Sequence, residues 1–241
     1  MLKATIKQFF NHLGLDICRL EKSPRYSLLG LRSLPIGIVI DVGANRGQFA
    51  RYIREIYPRA QILCFEPLPD AFAALAAWAR TLPGEPVKVF QLALGDAAGT
   101  VSMYHHTGHD ASSSMLATTA LATSLYPQLQ AQAQVEVELT TLDRALAFLD
   151  RQSPPEILIK LDVQGYESRV IRGGRAIFAH ARACIVEVNL DGLYEQQSGF
   201  SEIMRLLSES GYRYAGNLEQ MYGDDGHVIY FDAVFLRPDS H

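Results

Sequence analysis

Residues 36–47, Ile36 to Gly47, read IGIVIDVGANRG, and this stretch decides the fold. Apolar residues, mostly β-branched, run into Asp41, which is the pattern of a short buried strand. The chain then turns through Val42-Gly43-Ala44-Asn45-Arg46-Gly47 into a helical pattern that Pro58 closes. Glycines in such a turn let the backbone reverse tightly and let a ligand approach the main chain. N–H groups at the helix start favour an anionic or carboxylate group nearby.

The same alternation continues outward from this stretch. Apolar runs at 61–66, 87–93, 157–162 and 183–188 predict further strands, and helical patterns fill 47–57, 70–82, 166–178 and 200–210. Asp70 is placed as an N-cap and Pro83-Gly84 as a stop for the second helix. Short strands alternating with helices predict β-α-β units and an α/β fold with a doubly wound, mainly parallel sheet. The pattern changes at 99–106 (GTVSMYHH) and 135–141 (VEVELTT), which alternate as antiparallel or edge strands do. Between them, 107–134 is rich in Ala, Ser, Thr and Gln and predicts a mobile or partly helical, lid-like insertion instead of a core element. Residues 212–214 and 227–236, around a Gly-Asp-Asp-Gly turn, predict a closing C-terminal antiparallel hairpin. The expected organisation is a helical N-terminal extension over 1–35 and one domain over 36–241.

Composition narrows the partners. With 48% hydrophobic and 20% charged residues in 241, the chain is that of a compact folded protein. A formal net charge of −4 supplies no basic field for gathering phosphate backbones, so a small-molecule or carbohydrate partner fits better than nucleic acid. Three widely spaced cysteines, Cys18, Cys64 and Cys184, two of them inside apolar runs, point to a reducing compartment. No stretch approaches the roughly 20 apolar residues that span a bilayer, and no signal-peptide core is present, so the expected location is cytoplasmic. Leu2, Ile6, Phe9, Phe10 and Leu13 fall at helical spacing. That amphipathic stretch is open to packing on its own domain, contact with a partner subunit in a homo-oligomer, or peripheral contact of residues 1–15 with a membrane surface.

The glycine turn is spaced D-x-G-x-N-x-G and lacks the G-x-G-x-x-G of dinucleotide folds. Glycine where Asn45 stands would let the backbone press against pyrophosphate. Adenosylmethionine has no phosphate and offers an ammonium, a carboxylate and a sulfonium instead. Glu66 ends the second strand 25 residues after Asp41, where an acid grips ribose hydroxyls in either kind of sheet. Leu94-Gly95-Asp96 follows the third strand, with Asp96 placed to meet an adenine amino group, although Asp and Gly are also ordinary turn formers.

Four ordered segments, DVGANRGQFA (41–50), FEPLPDAF (65–72), LALGDAAGTVSMY (92–104) with SSSM (112–115), and LIKLDVQGYESRVIRGG (158–174), carry a resemblance. The chain resembles the FkbM-type methyltransferases, class I enzymes with a Rossmann-like sheet, from about Ile36 to the closing hairpin. The resemblance implies S-adenosylmethionine as cofactor and O-methylation of a hydroxyl on a sugar, glycan or natural-product small molecule. With it, the candidate cofactor-binding residues are Asp41, Gly43, Ala44, Asn45, Gly47, Glu66, Pro67, Leu94, Gly95, Asp96 and Ser113.

For the chemistry, Asp162 leaves the buried run ILIKLD at the same sheet edge and matches the family's K-x-D-V-x-G-x-E pattern. It is the first candidate for orienting or activating the acceptor. Gln164 stands where many relatives carry Glu. His105, His106 and His109 form an HH-x-x-H cluster beside the insertion, and His105 and His106 are candidate general bases. Asp162, Glu187 and Asn189 could jointly hold Mg²⁺. Tyr104, Tyr166 and Tyr194 serve either an acceptor pocket or packing. The rival readings are an NAD(P)-dependent oxidoreductase, for which no Tyr-x-x-x-Lys pair is found around Tyr166 or Tyr194, and a non-catalytic binding domain.

Overall fold

The structure is a computed structural model that describes residues 2–15, 17, 19–20, 23–106, 110–149 and 156–238. Along the chain run α1 (Leu2–His12), α2 (Pro24–Ser27), β1 (Ile36–Val42), α3 (Gln48–Ile56), β2 (Gln61–Phe65), α4 (Pro69–Arg80), β3 (Val87–Phe90), β4 (Ala93–Leu94) and β5 (Gly99–His106). They are followed by α5 (Ala120–Leu125), β6 (Gln132–Thr140), α6 (Leu142–Ala145), β7 (Glu156–Leu161), α7 (Glu167–Gly173), α8 (Arg175–His180), β8 (Ala183–Asn189), α9 (Phe200–Glu209), β9 (Arg213–Tyr222) and β10 (Val228–Leu236). Cys18 and His109 lie outside the described residues.

Seven strands form one sheet in the order β3-β2-β1-β7-β8-β10-β9. The first five of these pair in parallel, and β10 runs antiparallel to both β8 and β9. The class is therefore the expected doubly wound, mainly parallel α/β sheet. Alternation along β1 shows why both faces are covered. Ile38, Ile40 and Val42 pack with Val170 and Ile171 of α7 and with Ile203 and Leu207 of α9. Val39 packs on the other side with Ala50 and Ile53 of α3 and Leu75 and Ala79 of α4. Each Ile, Val or Leu among them, when fully buried, contributes about 1.5–3 kcal/mol.

Strands β4, β5 and β6 form a second, three-stranded sheet. The third run therefore splits: β3 stays in the main sheet, and Ala93 and Leu94 leave it to pair with Leu139 and Thr140. The insertion is more ordered than its composition suggests. Thr119 caps α5, its Oγ1 accepting from the Ala122 amide at 3.1 Å and donating to the Gly192 carbonyl at 2.6 Å. Ala122 and Leu129 are buried in the main core, so apolar residues at two points anchor a segment that reads as polar on average.

The helix expected over 166–178 is instead two helices. A Cβ on Gly173 would lie 1.8 Å from the Gly95 carbonyl oxygen, and one on Gly174 would lie 2.8 Å from Leu142. The chain breaks there so that α7 and α8 can follow the sheet. Among the described residues no helix is long and apolar enough to cross a membrane. Cys64 and Cys184 are buried, free thiols.

Gly173→Ala tests this packing. We expect it to destabilise the protein by about 2 kcal/mol or more, since backbone and not a flexible tip blocks the new carbon. Urea unfolding should show a lower midpoint with an unchanged slope.

Candidate active site

The strand order changes direction between β1 and β7, and a cavity of about 280 Å³ opens there at the carboxyl ends of the strands. Gly43 brings the two strand ends together. Its φ is +77°, and a Cβ on it would lie 1.9 Å from the Asp162 carbonyl oxygen. The amides of the turn are already used. Those of Gly43 and Ala44 donate to the Phe65 carbonyl, that of Asn45 to Glu66 Oε2 at 2.8 Å, that of Arg46 to its neighbour Asn45 Oδ1, and that of Gly47 to the Ala44 carbonyl. The amides of 43–47 are thus all paired within the protein, and the expected anion-favouring N–H groups are those at the start of α3.

One end of the cavity is apolar, walled by Phe65, Leu68, Leu92, Leu94, Met103 and Met115. Phe65 is itself held by stacking on Phe90, with ring centroids 4.9 Å apart. Glu66 lies between this end and the turn. Its Oε1 accepts from the Leu68 amide and its Oε2 from Asn45, which fixes the carboxylate. The opposite end presents Asn45, Gln48, Lys160 and Asp162. The site therefore combines an apolar wall, a fixed carboxylate and a group of polar and charged side chains.

Lys160 is 8% exposed inside β7, beneath the Phe49 ring, with Nζ 2.6 Å from Asp162 Oδ2. Register places it beside Asp41. Burial pushes the Lys160 ammonium toward deprotonation, but the carboxylates of Asp162, Asp41 and Asp232 outweigh it and hold the charge on, well above the usual lysine range. Asp41 is fully buried, and neither of its oxygens has a hydrogen-bond partner. Burial raises its pKa to about 6 despite Lys160. Glu167, also buried, accepts from the Val163 and Gly165 amides through one oxygen and so ties the loop after β7. Burial, only partly offset by those hydrogen bonds, raises it to about 7.

A second cavity of about 280 Å³ shares Ala111, Asp162 and Gln164 with the first. Its floor is the end of β8 and its neighbour β10, presenting Glu187, Asn189 and Tyr230, and part of its roof is Tyr126, Gln128 and Leu129 from the insertion. Gln164, at φ +54°, joins the parts. Its Nε2 donates to Asp162 Oδ1 at 2.8 Å and to Glu187 Oε1 at 2.7 Å, and its Oε1 accepts from Tyr194 Oη at 2.6 Å. Burial, followed by the nearby Asp162 and Asp232 carboxylates, raises the Glu187 pKa well above the usual carboxylate range.

The expected residues divide accordingly. Gly43, Ala44, Asn45, Glu66, Pro67, Leu94, Ser113 and Asp162 line the first cavity. Asp41 lies beneath it. Gly47 serves packing, since a Cβ there would lie 2.6 Å from Leu75, and Gly95 faces the Tyr166 ring in the same way. Asp96 is exposed and outside the lining. His105 borders a separate shallow recess with Leu68 to Ala71, and His106 is fully buried, its amide donating to Ser113 Oγ. Neither lines the two cavities. Of the three tyrosines, Tyr194 lines the second cavity. Glu187 and Asn189 line it too, but the Gln164 amide points its hydrogens at both Asp162 and Glu187, where a shared cation would need oxygens. Among the described residues no group of three or more His, Cys, Asp or Glu is placed to hold a metal ion. Lys160, Gln48, Phe49, Tyr126 and Tyr230 escaped the sequence reading. A lysine inside the apolar run ILIKLD was the available signal for the first of them.

The fold and site define an enzyme of the class I methyltransferase type. The model of the family described as "Methyltransferase FkbM domain" matches residues 41–214, and the chain belongs to that family. It is 30% identical over 185 residues to the 2-O-methyltransferase NoeI of Sinorhizobium fredii, covering 75% of this chain and 74% of that protein. It is 26% identical over 222 residues to the 31-O-demethyl-FK506 methyltransferase FkbM of Streptomyces tacrolimicus, covering 83% and 82%. Among solved structures, magnesium protoporphyrin IX methyltransferase from Synechocystis PCC 6803 with bound SAM aligns with a TM-score of 0.45 at 12% identity, over 98% of this chain and 97% of that one. The protein is an S-adenosylmethionine-dependent methyltransferase.

The Glu167 carboxyl yields a stability prediction. Its folded pKa of about 7 exceeds the ordinary 4.5, so between those values the folded state keeps a proton that the unfolded state releases. Its contribution is therefore most favourable below pH 4.5 and worsens up to pH 7, by of order 3 kcal/mol in all. Glu167→Gln retains an acceptor oxygen and removes the ionisation. Melting curves should show the variant gaining on wild type as pH rises from 4.5 to 7.5 and the two converging at the acid end.

Proposed function

We propose that the chain methylates a hydroxyl oxygen of a sugar, glycan or natural-product small molecule. The observation that carries this reading is the meeting of two cavities across Ala111, Asp162 and Gln164, one suited to a nucleoside with a charged tail and one to an oxygen-bearing acceptor. The two relatives described above are both named for action at an oxygen, which supports the same choice.

In the donor cavity, Phe65, Leu92, Leu94 and Met103 take the adenine, Glu66 accepts the ribose hydroxyls, and Asn45, Gln48 and the Lys160–Asp162 pair face the methionine carboxylate and ammonium. When bound, S-adenosylmethionine supplies an electrophilic methyl on a positively charged sulfur. The chain's own task is alignment, exclusion of water and disposal of one proton.

Glu187 takes that proton. Both Asp162 oxygens are committed, one to Lys160 and one to Gln164, so Asp162 orients. Glu187 keeps one oxygen clear of Gln164, and burial raises its affinity for a proton. Glu187 would take the hydroxyl proton of the acceptor, and bound S-adenosylmethionine would supply the methyl group and leave as S-adenosylhomocysteine. Gln164 holds the two carboxylates at fixed separation from a face that Tyr194 locks.

Calorimetric titration separates this reading from its rivals. Adenosylmethionine and S-adenosylhomocysteine should bind and NADH should not, and Glu66→Ala should weaken both nucleosides by about 10- to 100-fold, the loss of a buried charged hydrogen-bond partner. Tight NADH binding with silence toward adenosylmethionine would falsify the assignment, and donor binding without turnover on any hydroxylated acceptor would point to a binding domain. Glu187→Gln should lower kcat by about 10²- to 10⁴-fold and abolish the rise of rate with pH, with donor affinity unchanged.

A further inference from the structure

The amide of Asn189 is 4% exposed, lines the second cavity, and has no hydrogen-bond partner at either Oδ1 or Nδ2. Buried amides of this kind are normally paired, so an unpaired one in a cavity wall calls for a partner from outside the chain, solvent or ligand. Its placement is specific. Asn189 lies two residues beyond Glu187 on β8, so the two side chains leave the same face of the sheet with roots about 6.6 Å apart. Opposite them on β10, Tyr230 pairs with Asn189 and Asp232 with Glu187. The remaining wall near Asn189 is largely apolar, from Tyr126, Leu129 and Met221.

We propose that Asn189 is a specificity-determining residue that recognises a second hydroxyl of the acceptor, neighbouring the one methylated, so that the site takes vicinal diols carried on a ring. Two hydroxyls on adjacent carbons, each making a hydrogen bond of about 2.8 Å, bridge the gap between Glu187 and Asn189. An amide suits this task because it can donate to and accept from a hydroxyl whatever way that hydroxyl turns. Tyr126, Leu129 and Tyr230 then cover the apolar face of the ring, a division of labour common in ligand pockets. The inference rests on the O-methylation reading for the identity of the first hydroxyl. It predicts discrimination of a kind that apolar contact cannot give, because a site whose buried polar group is left unpaired rejects the deoxy analogue strongly.

The test uses trans-1,2-cyclohexanediol and cyclohexanol on the full chain saturated with S-adenosylhomocysteine. The Asn189 side-chain NH₂ resonances, identified by their loss in Asn189→Leu, report binding. The diol should shift them and bind at least about tenfold more tightly than cyclohexanol, the effect of one satisfied buried amide. Asn189→Leu should bind both alcohols alike, with S-adenosylhomocysteine affinity unchanged as proof that it folds. Equal affinities in the wild type, unmoved NH₂ resonances or no binding of the diol overturns the assignment. Methyl transfer to the two alcohols with equal kcat/KM overturns it while leaving O-methylation standing. Selective diol binding at Asn189 without methyl transfer upholds the subsite and removes the reading of the reaction.

Discussion

Lys160 is a cation inside a parallel strand, and the arrangement of the site depends on how its charge is met. Asp162 meets it directly, Asp41 lies beside it on β1, and Asp232 stands across on β10. Burying several charges together is expensive unless each is held in a geometry that uses the others. Removing Lys160 would leave carboxylates facing one another in a desolvated edge, and removing Asp162 would leave a buried ammonium near Asp41. The pair therefore acts as a fixed polar post at the carboxyl end of β7, and both cavities are built around it.

Gly43 and Gln164 turn that post into a boundary between sites. Gly43 lets β1 come against the Asp162 carbonyl, which narrows the donor side to a cleft with no free turn amides. Gln164 carries the same carboxylate's other oxygen toward Glu187 and is itself locked by Tyr194, while Ser114 Oγ donates to the Gln164 carbonyl at 2.7 Å. The insertion is thereby stitched to the loop after β7. The insertion, read from its composition as lid-like, contributes Tyr126, Gln128 and Leu129 to the wall of the second cavity.

The sheet was legible in the sequence because buried parallel strands must be apolar on both faces and because glycine, proline and capping residues punctuate them. Glu66 and Asp162 were legible for the related reason that strand ends lie at one edge. Other features depend on contacts distant in sequence. The break at Gly173-Gly174 sits where Gly173 lies against the Gly95 carbonyl and Gly174 against Leu142, which no local pattern encodes. Gly47 looks like a ligand-binding glycine, and the structure also sets Leu75 of the next helix against it, outside the cavity lining. The paired histidines looked catalytic from their residue type alone, whereas β5 directs one to a separate recess and buries the other. Tyr230 and Asn189 meet only through antiparallel register, and Lys160 was visible but outweighed by its apolar neighbours.

The proposed reaction requires ligands in the two cavities to meet at the wall made by Ala111, Asp162 and Gln164. A crystal structure with S-adenosylhomocysteine measures it most directly. The account predicts the ribose hydroxyls on Glu66, the adenine against Phe65 and Leu94, and the sulfur facing that shared wall with Glu187 beyond it. A nucleoside bound with its sulfur turned away from Asp162 and Gln164, or seated in another part of the molecule, would contradict the account.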